Sequence, residues 1–184
     1  MRKPSISRKR KFASASCLLA CIALNDWAKG WILTIFVIPS GHLAAWLAGA
    51  YPAPSAEGVS FLFDGTVFEV THACSGVVFF GLLLALAVLS AQSPGRILVG
   101  LPLIYLFAIA SNALRITFWA AGFPVLNFIL PSGFLDAGHE IAGAIVYLPA
   151  ALGAHWVFKH LLGSPRSATP SGSRPIETQP TANS

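Results

Sequence analysis

The stretch "SGVVFFGLLLALAVLSA" (residues 75–91) carries no charged side chain and is nearly as long as a helix that crosses a bilayer. Residues 97–119 and 139–158 have the same apolar character. The chain of 184 residues is 55% hydrophobic and only 10% charged, whereas soluble domains carry about a quarter charged residues. The sequence therefore predicts an all-α integral membrane protein with about four or five transmembrane helices.

The distribution of basic residues predicts the orientation of these helices. A cluster of lysine and arginine lies within residues 1–11, before the first apolar segment. Arg96 lies in the short loop 91–96, and Lys159 and Arg166 follow the last apolar stretch. Cations that flank transmembrane segments mark the cytoplasmic side. The distribution of the residues that give the net charge of +5 therefore favours a multi-pass protein of the cell inner membrane over a nucleic-acid binder.

Three regions follow from this pattern. Residues 1–11 are predicted to be a basic cytoplasmic N-terminus, and residues 12–160 a transmembrane domain. The Pro-, Ser- and Thr-rich residues 161–184 are predicted to be a disordered cytoplasmic tail. Within residues 12–52 the orientation favours one crossing, with the remainder at a membrane interface.

Two connections are predicted on the extracytoplasmic side. Residues 59–71 contain two β-prone runs around Asp64 and Gly65, a pair that favours a two-residue β-hairpin turn. Residues 120–138 contain two prolines and three glycines, which predicts an outer loop or a re-entrant segment.

The predicted orientation brings three reactive side chains to the outer membrane boundary. Cys74 precedes the apolar stretch 75–91, Arg115 lies near the outer end of the next helix, and His139 begins the last one. A thiolate is a nucleophile, an imidazole transfers protons near neutral pH, and a guanidinium stabilises an oxyanion. Together these groups predict a cysteine acyl-transfer site.

Other interpretations of these residues stay open. Cys74 could be a packing thiol, Arg115 could extend to lipid head groups, and His139 could be an interfacial residue. His72 is a competing base for Cys74. No spacing of histidine and cysteine predicts a metal site, and no cofactor is predicted.

Three motifs assembled in this order resemble the exosortase/archaeosortase family. They are "ACSG" (73–76), "NALRI" (112–116) and "GHEIAGAIVY" (138–147). The resemblance covers roughly residues 60–160, and the short chain is similar to the compact exosortase K subgroup. Members of this family are membrane-embedded cysteine transpeptidases.

The resemblance implies a role for each motif. Cys74 would be the nucleophile, His139 the acid and base, and Arg115 the residue that aligns the substrate or stabilises the oxyanion. Weaker substrate-binding roles fall to Asn112, Ser75 and Gly76. The implied partners are exported proteins with a C-terminal sorting signal and a transmembrane tail, cleaved through a thioacyl-enzyme intermediate.

This chain departs from larger relatives because it lacks their additional N-terminal helices. The departure bears on how a substrate helix is recognised. The alternatives are a non-catalytic membrane scaffold or assembly subunit, or a cysteine-dependent membrane acyltransferase that moves a lipid.

Overall fold

A computed structural model describes residues 8–91, 93–129 and 135–162 of the chain. The side chains of residues 26, 126, 129, 135–137 and 139 lie outside this description. The predicted disordered tail therefore lies outside it beyond residue 162, as do residues 1–7 of the predicted basic N-terminus.

The described residues form helices and one small antiparallel sheet. The helices are α1 (Arg8–Trp27), α2 (Lys29–Ile32), α3 (Ile38–Leu47), α4 (Val77–Ser90), α5 (Pro94–Ile129) and α6 (Leu135–Leu161). The strands are β1 (Pro52–Ser55), β2 (Gly58–Phe63) and β3 (Thr66–Val70). A π-helical segment, Leu33–Val37, joins α2 to α3, and a 3-10 turn, His72–Cys74, precedes α4.

Four helical segments of the described residues are long and apolar enough to cross a membrane. The three apolar stretches identified in the sequence all lie in such segments, so their helical structure is confirmed. The fourth is the continuous helix that α2, the π-helical segment and α3 form. The segments are Lys29–Leu47, His72–Ser90, Pro94–Val125 and Glu140–Leu161.

The first helix, α1, runs antiparallel to α4. The Ser14 hydroxyl donates to the Ala85 carbonyl at 3.2 Å, and Cys21 packs on Gly81, where an added Cβ would lie 2.6 Å from the cysteine Cβ. Residue numbers rise along α1 as they fall along α4, which fixes the antiparallel direction. Cys21 thus makes the close apolar contact that small side chains permit.

The Lys29–Leu47 helix packs on α5 and on the sheet. The Tyr105 hydroxyl donates to the Ile35 carbonyl at 2.6 Å, and the Thr117 hydroxyl donates to the Ala44 carbonyl at 3.2 Å. Residue numbers rise together in the two helices. This helix begins after a break in helical geometry at Ala28, so residues 12–52 contain two helical segments.

The predicted hairpin is confirmed by strands β2 and β3. They pair antiparallel around Asp64 and Gly65, whose φ angles of 48° and 75° are left-handed, as a primed two-residue turn requires. Strand β1, which pairs with β2 on its other side, was not predicted. Within sheets, proline is confined to edge strands. Strand β1 is an edge strand, but its residues Pro52 and Pro54 argued against a strand in the sequence.

Two apolar cores lie on either side of the turn that contains Cys74. The sheet-side core joins the sheet to α3 and to the middle of α5; it includes Val37, Ala44, Phe61, Val70, Val77, Ala113 and Ile116. The opposite core joins α4, α5 and α6; it includes Phe79, Leu83, Ala87, Ile104, Ala154 and Phe158. Val77 and Phe79, two residues apart, belong to different cores, so the start of α4 is the boundary between them.

The loop or re-entrant segment predicted for residues 120–138 is wrong for most of its length. Helix α5 continues through Pro124 to Ile129, and α6 begins at Leu135. A proline removes only one hydrogen bond from a helix, and aromatic contacts hold this turn in place. The centroid of the Phe123 ring lies 5.7 Å from the ring centroid of Trp119 and 5.5 Å from that of Phe68. Residues 130–134 lie outside the described structure.

Candidate functional site

Cys74 closes the 3-10 turn that leads into α4. Its backbone N–H donates to the Thr71 carbonyl at 2.8 Å, and its side chain is half-buried against the sheet-side core. The helix itself begins at Val77, after Gly76 with a φ of 70°. Cys74 therefore lies in the turn just before α4 and outside the helix itself.

Asn112 on α5 fixes the position of this turn. Its side chain is only 1% exposed, and its Nδ2 donates to the Cys74 carbonyl at 2.7 Å. A Cβ on Gly76 would lie 2.8 Å from the Asn112 Cγ, so glycine is required there by close approach as well as by its φ. Asn112 and Gly76 have packing roles in the structure, and their substrate-binding roles stay predictions.

Tyr147 is a site residue that the sequence analysis missed. Its hydroxyl donates to the Asn112 Oδ1 at 2.6 Å, and its ring stacks on Phe79 with centroids 4.2 Å apart. The sequence contained a signal for Tyr147, because a tyrosine inside an apolar helix needs a hydrogen-bond partner.

Arg115 lies beside Tyr147 and is buried. The side chain is 8% exposed, its Cζ lies 5.4 Å from the centroid of the Tyr147 ring, and its Cδ packs near Gly143 of α6. The Nε and Nη2 atoms have no hydrogen-bond partner among the described residues. Buried charged donors without an acceptor are costly, so these two atoms need an acceptor that no described residue supplies.

His139 is placed by its backbone alone. It lies four residues before Gly143 and eight before Tyr147 in α6, a spacing that puts these residues on one face of a helix. Helix α6 begins at Leu135, so the prediction that His139 begins the last helix is wrong. The His139 backbone lies one turn before Gly143, which packs near the Arg115 Cδ. Its predicted part in catalysis stays a prediction.

A second set of contacts ties the Cys74 turn to the end of α1. The Ser75 hydroxyl donates to the Asn25 Oδ1 at 3.1 Å, and the His72 imidazole Nε2 donates to the Asn25 backbone carbonyl. The sequence analysis did not identify Asn25. These contacts give Ser75 and His72 structural roles at the turn.

A cavity of about 410 Å³ opens beside the Cys74 turn. Thr71, His72 and Ala73 line one wall, and Lys29 and Glu57 bring opposite charges to the others. The described residues contain no group of three His, Cys, Asp or Glu side chains arranged to hold a metal ion.

Comparison with protein-family models, with curated proteins and with solved structures finds no match to this chain. The similarity to exosortases consequently rests on the three motifs themselves. Two of the motif residues, Cys74 and Arg115, are joined in the structure through Asn112 and Tyr147.

Proposed function

We propose that this chain is a multi-pass inner-membrane cysteine transpeptidase or protease of the exosortase type. The observation that carries the proposal is the buried Arg115, whose Nε and Nη2 have no partner among the described residues. It is linked to the Cys74 turn by two short hydrogen bonds and a ring contact. A buried guanidinium that side chains connect to the turn carrying a thiol is suited to a substrate carbonyl whose oxygen becomes negative during the reaction.

The chemistry requires a nucleophile, a base and an oxyanion stabiliser. The Cys74 thiolate attacks the scissile carbonyl carbon after His139 accepts the thiol proton. The Arg115 donors hold the oxyanion, the C–N bond breaks, and His139 returns the proton to the leaving amine. Water or an acceptor amine then attacks the thioester and releases the product with the free thiol.

The arrangement of the helices supports a membrane orientation with this site outside. The basic residues of α1 lie in its first turn, at the level where α4 ends. The Arg96 Nη1 donates to the Leu162 carbonyl at 3.1 Å. The last turn of α6 carries Lys159. These cations therefore lie at the end opposite Cys74, whereas Lys29 lies near the Cys74 turn. The larger number at the opposite end supports a cytoplasmic position for that end under the positive-inside rule.

We assign the first crossing to α1 on the basis of its packing, although the Lys29–Leu47 helix, and not α1, is among the four segments long and apolar enough to cross a membrane. Helix α1 lies along α4 from Ser14 onward, so both helices cover the same depth. The Lys29–Leu47 helix instead packs with the sheet, where Gly41 allows the Val59 side chain to approach. This assignment agrees with the single crossing predicted for residues 12–52, and gives α1, α4, α5 and α6 as the four crossings.

The proposed substrates are exported proteins with a C-terminal sorting signal and a transmembrane tail. Such a tail presents its cleavage site at the outer boundary, where Cys74 and Arg115 lie in the proposed orientation. The test is co-expression with a tail-bearing exported protein, followed by mass spectrometry of the substrate. We expect wild type to shorten the substrate and Cys74→Ser to fail at equal protein level. Cleavage by Cys74→Ser would refute the mechanism.

One observation favours a second candidate, a cysteine acyltransferase that accepts a lipid chain. A cavity of about 460 Å³ lies between α5 and α6. Its lining is nearly all apolar and includes Leu114 and Val146, which neighbour Arg115 and Tyr147 in sequence. Incubation with a labelled acyl lipid distinguishes the candidates, because only an acyltransferase would retain the label on Cys74.

A further inference from the structure

The two edges of the small sheet are chemically different. Strand β1 forms one edge and β3 the other. Ser55 and Gly58 flank the turn of the first hairpin, and hydrogen-bonded pairs alternate with non-bonded pairs from there. Pro52 and Pro54 therefore direct their nitrogens away from β2. Because proline has no N–H, the β1 edge presents no donor at these positions.

The β3 edge has the donors that β1 lacks. Phe63 and Thr66 flank the Asp64–Gly65 turn and form the first hydrogen-bonded pair of that hairpin. Val67 and Glu69 consequently direct their backbone N–H and C=O groups away from β2. Both residues are exposed, and no described residue makes a backbone hydrogen bond to either one.

The open edge leads to the candidate nucleophile. Strand β3 ends at Val70, and Thr71 continues in extended conformation with φ −105° and ψ −179°. The turn that follows closes at Cys74, and the cavity lined by Thr71 and Ala73 lies at this end of the strand. A peptide paired with β3 would therefore approach Cys74.

Charge restricts which peptide this edge accepts. Glu69 lies on β3 and Asp64 in the turn before it, and β3 itself contains no basic residue. Lys29 and Glu57 bring opposite charges to the cavity beyond the end of the strand. The free edge is thus acidic, and it favours a peptide with basic side chains over an acidic one.

We propose that the outer edge of β3 is the docking strand for the substrate. An extended, basic peptide segment adds to the sheet as a further strand, by hydrogen bonds to Val67 and Glu69, and brings its scissile bond to Cys74. This inference rests on the proposed function for its biological meaning, but docking is measurable without cleavage.

The direct test uses the Cys74→Ser protein in detergent micelles, with amide exchange followed by nuclear magnetic resonance. The probe is the peptide acetyl-Lys-Val-Thr-Val-Lys-Val-amide, and its twin carries N-methyl groups on alternate amides. We expect the unmodified probe to slow exchange at Val67 and Glu69 by about tenfold or more, and the twin to have no effect. Equal protection by both peptides, or protection by neither, would overturn the proposal.

A pair of proline variants tests the same edge. Val67→Pro removes a donor that faces away from β2, so the hairpin keeps its own hydrogen bonds. Ala56→Pro is the matched control, since Ala56 begins the opposite turn, where proline is favoured and φ is not positive. We expect Val67→Pro to lose probe protection at Glu69 and Ala56→Pro to keep it. Equal protection in both variants would overturn the proposal.

Different results refute the cysteine mechanism and the docking of a peptide on β3. If Cys74→Ser still shortens a tail-bearing protein, the mechanism is refuted, while the exchange results still decide docking. If Cys74→Ser is inactive but Val67→Pro cuts as fast as Ala56→Pro, the cysteine mechanism stands and docking on β3 is refuted.

Discussion

The Tyr147 hydroxyl donates a 2.6 Å hydrogen bond to the Asn112 Oδ1, and the Asn112 Nδ2 donates in turn to the Cys74 carbonyl. One amide thus connects the last helix to the turn of the candidate nucleophile. A side-chain amide whose oxygen and nitrogen are both engaged is fixed in rotation. The Cys74 turn is thus held by α6 through an amide that bonds to the Cys74 backbone carbonyl.

Tyr147→Phe tests this connection. The variant keeps the stacking on Phe79 and removes only the hydroxyl. We expect a loss of stability of about 0.6 kcal/mol, typical of hydrogen bonds between membrane helices, together with a clear loss of tail cleavage. Thermal unfolding in micelles and substrate shortening measure the two effects. Full cleavage activity in Tyr147→Phe would show that the hydroxyl does not position the turn.

Asn112→Ala should be more harmful than Tyr147→Phe. It leaves the half-buried Tyr147 hydroxyl and the Cys74 carbonyl without their partner, and an unsatisfied group costs up to about 1–3 kcal/mol when it is fully buried. Unfolding measurements on the two single variants and the double variant check the order. If Asn112→Ala is the milder change, the amide is not the centre of this network.

Gly76→Ala should damage the turn without removing any polar group. A φ of 70° costs an alanine about 1–2 kcal/mol, and the new Cβ would lie 2.8 Å from the Asn112 Cγ. We expect reduced stability and reduced cleavage, measured on the same preparations. Gly65→Ala is the control, since its φ is also positive but its Cβ meets no atom within 4 Å. Equal losses in both variants would assign the effect to backbone strain alone.

Arg115→Lys separates charge from hydrogen-bond geometry. Lysine keeps the cation but has no Nε and Nη2 donors in a planar arrangement. Loss of an oxyanion donor lowers the rate about a hundredfold or more, so we expect that loss in single-turnover cleavage, with normal membrane insertion. Wild-type rates in Arg115→Lys would show that the Nε and Nη2 donors of Arg115 have no part in the reaction.

The proposed orientation predicts which thiols an impermeant reagent reaches in intact cells. In a background with the native cysteines replaced, Asp64→Cys lies in the hairpin turn and Ser93→Cys precedes α5. We expect a membrane-impermeant maleimide to label Asp64→Cys from outside and to label Ser93→Cys only after lysis. The reverse pattern would invert the topology and place Cys74 in the cytoplasm.

Much of the fold was predictable because apolar length and turn chemistry are local signals. The helices at residues 75–91, 97–119 and 139–158, and the Asp64–Gly65 turn, follow from neighbours in sequence. The helix through Pro124 did not, because its stability comes from contacts between Phe123 and distant rings. Strand β1 was not predicted for the same reason. Its prolines are compatible with an edge strand, and whether a strand lies at the edge of a sheet depends on tertiary structure.

The site was predictable in its reactive groups and not in its supports. Cys74 and Arg115 attract attention by chemistry alone, since a thiol at a helix entrance and a cation in an apolar helix both require explanation. Asn25 and Tyr147 do not, because their roles depend on which helices become neighbours. Tyr147 could have been inferred from its position on the same helix face as His139.

The turn that carries Cys74 is braced by the first helix, through Asn25, and by the last, through Tyr147 and Asn112. During synthesis α1 is made long before α4, and α6 is made last of all. A nascent chain that has α4 in the membrane still lacks one brace until α6 is inserted. The Cys74 turn therefore acquires its final geometry only when translation of the helical domain is complete. Under the proposed function, a chain that is still unfinished would not cleave exported proteins.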